Sequence, residues 1–400
     1  TGERECLNLP AAISEEFARL ILTEFEFSVE GNERADYIQS QMKSFIRNLD
    51  KTVEVWCAVG GVALKPYVTG DGDKPDEIAI DIVKANRFFP TAFNSNSEVT
   101  GAVFMETKHV GEYIYTRLEY HNLVGDHYTV TNKAYRSKRL NTNYAEDDLV
   151  TNAAYLLQEE VSLDSVEEWG ELAPEVELDG IEHPLFVYVK VPMANTIDPE
   201  SPLGPSVYSK AVETIMEADK QYARILWEYE ATEAAVDADI SVFDLDRNGR
   251  PILPEGRERL YRTYDIGTTG EKPFFQEYGP AIRDSNLFNG LNELCRKIEF
   301  QCGLAYGTIS DVSDTDKTAT EIRASKQRSY SKVSRMQKAW DTALDELILV
   351  MQIYCDLYNI VPAGDAEKPC SWGDSILEDT EAEYQRRWSM VLAGKMKVEK

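Results

Sequence analysis

The longest periodic stretch of the sequence constrains the fold most. Ile322, Tyr330, Val333, Met336, Trp340, Leu344, Leu347 and Met351 fall on one face at about 100° per residue. This spacing predicts a helix over about 321–359, ended by Pro362 and Gly364. Thr318-Ala-Thr-Glu321 fits a capping box at its start. Between Ile322 and Trp340 stand six basic residues and no acid: Arg323, Lys326, Arg328, Lys332, Arg335 and Lys338. All but Lys326 are expected opposite the apolar face. A polar, acidic loop with Ser310, Asp311, Ser313, Asp314 and Asp316 precedes the helix.

That basic stripe reverses the sign of the rest of the chain. Seventy acids against 42 bases leave a net charge of -28. Such a surface repels nucleic acid, which excludes a sequence-reading DNA binder but not a conduit through which DNA slides. Four hundred residues exceed one compact core, so two or three structural regions are expected. No run of about 18 apolar residues exists to span a membrane. The start, TGERECLNLP, lacks the form of a signal peptide, and both ends read as mid-chain. Cys6, Cys57, Cys295, Cys302, Cys355 and Cys370 form no Cys-x-x-Cys; Cys295 and Cys302, about 10 Å apart along one helix, are too far for a disulfide. All six are expected to be free thiols of a reducing compartment.

Helices are expected at 11–28, behind Ser14 as cap candidate, and at 33–49. From Thr52 the pattern turns β-branched: strands are expected within 53–68, 77–83, 112–120, 127–137 and 184–192. A clean stripe from Val207 to Tyr229, behind Pro205, predicts a helix of about 24 residues. A second helix runs from Ser285 to about Gly303. Between them, 231–283 holds strand-like DISVFDL (239–245) and many turn residues. Antiparallel pairing of the two helices would carry this insert at their far end. A short strand, 370–376, precedes a helix near Asp379.

Catalytic motifs are scarce. No GxxxxGK[ST], HExxH, Gly-x-Ser-x-Gly or Cys/His cluster occurs. His109, His121, His127 and His183 lie in or beside the β region; cross-strand pairing of His121 with His127 competes with a surface or core role. One metal pattern matches: Asp244, Asp246, Asn248, Gly249 and Glu255 fit positions 1, 3, 5, 6 and 12 of a calcium loop. Pro251 and Pro254 inside it, and its strand-like flank, favour an ordinary hairpin turn.

Several stretches carry a family resemblance. GGVALKPYV (60–68), PLFVYVKVPMANTIDPESPLGPSVY (184–208), Asp219 with Trp227-Glu228, DKTATEIRASKQRSYSKV (316–333) and WGDSILED (372–379) stand in collinear order over nearly the whole chain. In these the sequence resembles the portal proteins of long-tailed double-stranded DNA bacteriophages. The resemblance implies an α+β subunit with no enzymatic activity and no cofactor. It would sit in a closed homo-oligomeric ring of about twelve copies at one capsid vertex, assembled in the host cytoplasm and retained in the virion. It implies a mixed, strand-rich wing (1–200), stem helix 1 (201–230), a small β-containing clip (231–283) and stem helix 2 (284–304). A tunnel loop (305–320), a wing helix and strand (321–376) and the start of a helical crown (377–400) would follow. Ser310, Asp311, Val312, Ser313, Asp314, Thr315, Asp316 and Lys317 would face the DNA channel. Arg323, Lys326, Arg328, Lys332, Arg335 and Lys338 would meet acidic neighbours in the ring or DNA phosphates. The implied partners are double-stranded DNA without sequence preference, the large terminase subunit, a head-completion adaptor, and capsid and scaffolding proteins, with no membrane. A calcium-dependent acidic structural protein and an acidic hydrolase built on an Asp/Glu pair are the alternatives.

Overall fold

The computed structural model describes residues 6–70, 77–95, 98–138, 153–254, 258–265, 275–311, 319–364, 366–367 and 370–372. The chain is α+β, and contacts divide it into two compact units: residues 1–9 with 211–316, and residues 10–210 with 317–400. The segments expected as stem, clip and tunnel loop fall mainly in the first unit, those expected as wing in the second.

The larger unit opens with α1 (Leu9–Leu22), which buries Ile13, Phe17 and Ile21. Ser14 is not its cap. It is buried within the helix, and its hydroxyl donates to Pro10 O at 2.8 Å. In α2 (Glu33–Arg47) the cap is Asn32, whose side chain accepts from the Arg34 amide at 3.0 Å. Next comes α3 (Leu49–Val59), where the sequence suggested a strand from 53. Val53, Trp56 and Cys57 also recur at helical spacing, and burial of that face decides the outcome. Trp56 meets Trp340 edge-on at 5.5 Å and donates to Val189 O at 3.0 Å. Gly60, at φ +88°, ends the helix where the backbone of Gly204 passes.

Two antiparallel sheets follow. The smaller has the order β11 (Val187–Lys190), β3 (Gly61–Thr69), β4 (Glu77–Lys84). The larger has the order β10 (Glu175–Asp179), β8 (His127–Lys138), β7 (Tyr113–Val124), β6 (Val99–Val110), β5 (Phe88–Phe93); β9 (Glu159–Val161) also pairs with β8. Ala63 and Val83 of the first sheet share a core with Phe88, Phe104 and Phe186. His121 lies opposite Val130, and His127 opposite Val124, so the two histidines are not a cross-strand pair.

The long helix is α6 (Ala319–Tyr358), with Val333, Met336, Trp340, Leu344, Leu347 and Met351 buried as its stripe requires. It stops before Asn359, which takes φ +51°. Buried Arg34 then holds the turn, donating to Asp356 at 2.6 Å and to the carbonyls of Val361 and Pro362 at 2.9 Å. Two short ladders close the unit. β1 (Glu26–Phe27) pairs with β16 (Cys370–Ser371), and β2 (Glu30–Gly31) with β15 (Ala366–Glu367). Trp372 packs on Phe25 at 4.4 Å and donates to Asp341 at 2.9 Å. Residues 373–376 of the expected strand and the expected crown lie outside the described residues.

The smaller unit contains α4 (Val212–Ala231) and α5 (Asp284–Cys302). Residues 205–210 are not the first turns of α4, as Pro205 had suggested. Val207 instead donates its amide to Cys57 O at 3.0 Å, and Tyr208 its hydroxyl to Ala58 O at 3.1 Å, which holds this stretch out of the helix. The helices are antiparallel: Glu228 receives both Nε and Nη2 of Arg283, while Gln221, two turns earlier, donates to Leu287 O. Between them β12 (Ala235–Asp239) runs parallel to β13 (Tyr261–Tyr264) and antiparallel to β14 (Phe275–Tyr278). The strand expected at 239–245 ends at Asp239. That side chain accepts from the Ser241 amide at 2.9 Å and turns the chain into a short 3-10 segment. Cys6, Cys57, Cys295, Cys302 and Cys355 are free thiols.

Candidate functional site

The loop expected to face a channel begins where α5 ends. Gly303, at φ +76°, reverses the chain, and buried Leu304 donates its amide to Glu299 O at 2.9 Å. The loop then folds back over its own helix. Glu299, fully buried on α5, receives it. One carboxylate oxygen accepts from the amides of Gly307, Ile309 and Ser310 at 3.1, 2.7 and 2.9 Å. The other accepts the Ser310 hydroxyl at 2.8 Å. Two turns earlier, Asn292 binds both backbone groups of Asp311: its carbonyl oxygen accepts the amide at 2.8 Å and its amide nitrogen reaches the carbonyl at 3.4 Å. A concave array of amides is a site for an anion, and here the chain supplies its own.

This corrects the expectation for Ser310. It is 7% exposed and serves as the anchor of the loop, not as a projecting contact. Asp311 is exposed. Val312, Ser313, Asp314, Thr315, Asp316 and Lys317 lie outside the described residues, as does Thr318 of the capping box. Glu299 was not singled out in the sequence, although the signal was there. It falls between Cys295 and Cys302 on the buried face of a helix that ends in Gly303, where an acid needs a partner.

The basic stripe is also revised. Lys332 is buried, 8% exposed, with its ammonium 4.5 Å above the Phe17 ring and donating to Val207 O at 3.2 Å. It therefore meets neither DNA nor a neighbouring copy. Lys326, Arg335 and Lys338 are exposed, so the inward-facing exception is Lys332 rather than Lys326; Arg328 is half-buried. The side chain of Arg323 lies outside the described residues.

The calcium-type loop is a hairpin turn. Leu245 and Pro251 form an isolated bridge, and the Asp246 carboxylate accepts the amides of Asn248 and Arg250, both at 2.8 Å. That oxygen is thus spent on the turn rather than aimed at a cation. The same turn ties the Asp244 carbonyl to the Ile252 amide at 2.7 Å, and Glu255 lies outside the described residues. Among the described residues, no group of three or more His, Cys, Asp or Glu is placed to hold a metal, and no helix is long and apolar enough to cross a membrane.

A second buried polar system lies in the larger sheet. Glu119 accepts from Lys65 at 2.7 Å, lies 3.2 Å from Arg117, and is bonded to His121 Nε2 at 2.7 Å. His121 Nδ1 is 2.7 Å from the Tyr128 hydroxyl, which accepts the Leu185 amide at 3.1 Å. The proton positions follow: Tyr128 donates to Nδ1, and Nε2–H donates to Glu119. Burial alone pushes the Glu119 carboxyl up, but the His121 hydrogen bond and the charges of Lys65 and Arg117 hold it well below the usual carboxylate range. Burial pushes His121 down, so it stays neutral. Every member has a partner, which marks a structural network rather than a poised acid–base pair.

No protein-family model matches the chain, and no curated protein sequence matches it.

Proposed function

We propose that the chain is a portal subunit: one copy of a ring at a capsid vertex, through which double-stranded DNA is packaged and ejected. The observation that carries this reading is the outer face of α4. Val212, Met216 and Trp227 recur on one side of the helix, opposite buried Ile215, Ala218 and Ile225, and Trp227 is 63% exposed. Phe300 on α5 is 56% exposed. Two helices around a small sheet bury only their facing sides, and the outer apolar side requires neighbours. In a closed ring the neighbours are further copies.

Three further features fit the same reading. The order helix, small sheet, helix, loop, long helix follows the collinear motifs noted in the sequence. The loop after α5 is latched to its helix, as a projection working against moving DNA must be. The charge of -28 leaves no deep well in which DNA would stall. In this reading the β13–β12–β14 sheet docks the large terminase subunit and then a head-completion adaptor.

Negative-stain imaging and solution mass test the proposal. Rings of a fixed copy number are expected. A chain that stays monomeric at high concentration, with and without scaffolding protein, would overturn it. Glu299→Ala rings are expected to form but to package poorly; wild-type packaging would remove the loop from the mechanism.

A further inference from the structure

The larger sheet has two incomplete edges of opposite character. β6 is paired along β7 as far as Val110↔Tyr113, but on its other side β5 accompanies it only as far as Phe88↔Phe104. Among the described residues no strand flanks Met105–Val110 on that side. A cavity of about 380 Å³ opens at this notch, its charged wall formed by Lys65, Lys84, Arg87 and Arg117 together with Asp81, Glu106 and Glu119. Lys65 and Arg117 are neutralised by Glu119 and Glu106. Lys84 and Arg87 have no ion pair among the described residues.

At the opposite edge stands β10. It pairs with β8 on one side only; Glu175, Glu177 and Asp179 leave one of its faces exposed, and the other carries exposed Val176 and half-buried Leu178. Residues 159–179, which lead into it, contain no Lys or Arg. An acidic strand and a gap in whose wall four cations outnumber three acids thus sit at opposite ends of one sheet.

We propose that β10 of one copy lies antiparallel along Met105–Val110 of the next, with Glu175 and Glu177 against Lys84 and Arg87. The inference rests on the ring-forming reading and names how the copies join. Topology supports it: successive strands alternate in direction, so β10 runs parallel to β5, the strand that β6 lacks beyond Phe104. A head-to-tail neighbour presents β10 in the direction an antiparallel ladder needs. Length supports it too, since five residues of β10 face the six of Met105–Val110. Charge selects the register: in a chain of net charge -28 an acidic strand is repelled from most of its own surface and accepted where cations are unpaired.

Charge reversal in the full chain provides the test. Lys84→Glu with Arg87→Glu, and separately Glu175→Lys with Glu177→Lys, are each expected to weaken assembly at least about tenfold in about 0.15 M salt. Combining all four should restore it. Carbodiimide treatment of a mixture of light and 15N-labelled chains should join Lys84 to the 175–179 peptide as mixed-isotope pairs. Circular dichroism confirms that each variant is folded; if a reversal unfolds the chain, Lys84→Gln with Arg87→Gln replaces it. Wild-type rings from either reversed pair, no recovery in the combined variant, or cross-links only within one copy would overturn this interface and leave the portal reading standing. A wild-type chain that never assembles would remove both.

Discussion

Glu299 shows how much one buried side chain can organise. Its carboxylate accepts from three backbone amides and a hydroxyl. Glu299→Ala is expected to cost about 3 kcal/mol, because three amides lose a charged acceptor and that of Ser310 stays buried. Hydrogen exchange at Gly307, Ile309 and Ser310 should quicken while that of α4 is unchanged. His121 and Glu119 set the acid limit of the larger unit. The folded His121 resists protonation, so below about pH 6.5 the unfolded chain binds a proton that the fold refuses, and stability falls. The Glu119 carboxyl is depressed, so its contribution is full above the ordinary carboxylate range and is lost as pH falls below about 4.5. Both act in one direction. Melting temperature should drop in two stages on acidification, and His121→Gln should flatten the first, between about pH 6.5 and 5.

At the scale of elements, close backbone approach decides more than side-chain pattern does. A Cβ on Gly60 would lie 2.1 Å from Gly204 O, at a φ of +88° that disfavours any side chain. Gly60→Ala is expected to cost about 3 kcal/mol or more, read as a lowered denaturation midpoint. The same junction shows where the sequence misleads. Val53–Val59 reads as strand by composition, yet Trp56 buried against Trp340 holds it in a helix. Val207 reads as helix by spacing, yet its amide is taken by Cys57 O. Both reversals come from contacts distant in sequence, which local periodicity does not record. The long helix, the α4–α5 pair and strands β7 and β8 were legible because each buries one face at a fixed period, whereas β5, β6, β9 and β10 of the same sheet were not read. The loop was found by its position, but its anchor was hidden among seventy acids, since nothing in composition separates a buried carboxylate from a solvated one. Lys332 was misplaced for the same reason: charge was taken to mean solvent, whereas its stem and ammonium lie over Phe17.

For the whole molecule, the proposed ring would have to overcome the mutual repulsion of copies that each carry -28. Apolar contact supplies the gain, so Trp227→Glu is expected to leave the fold intact and prevent assembly, measured as loss of the ring species in mass photometry. Raising salt from about 10 mM to 0.15 M shortens the Debye length from about 30 to 8 Å and should favour wild-type assembly. The latch at Glu299 has one more consequence. It recognises main-chain amides, and of the residues it holds only Ser310 contributes a side chain. Asp311 is likewise held through its backbone alone, by Asn292, so its side chain is free to be rewritten by natural drift or by design while Gly303, Gly307, Ser310 and their acceptor keep the loop seated. A set of substitutions at Asp311 should keep the parental melting temperature, and changes in DNA handling across it would report on loop chemistry alone.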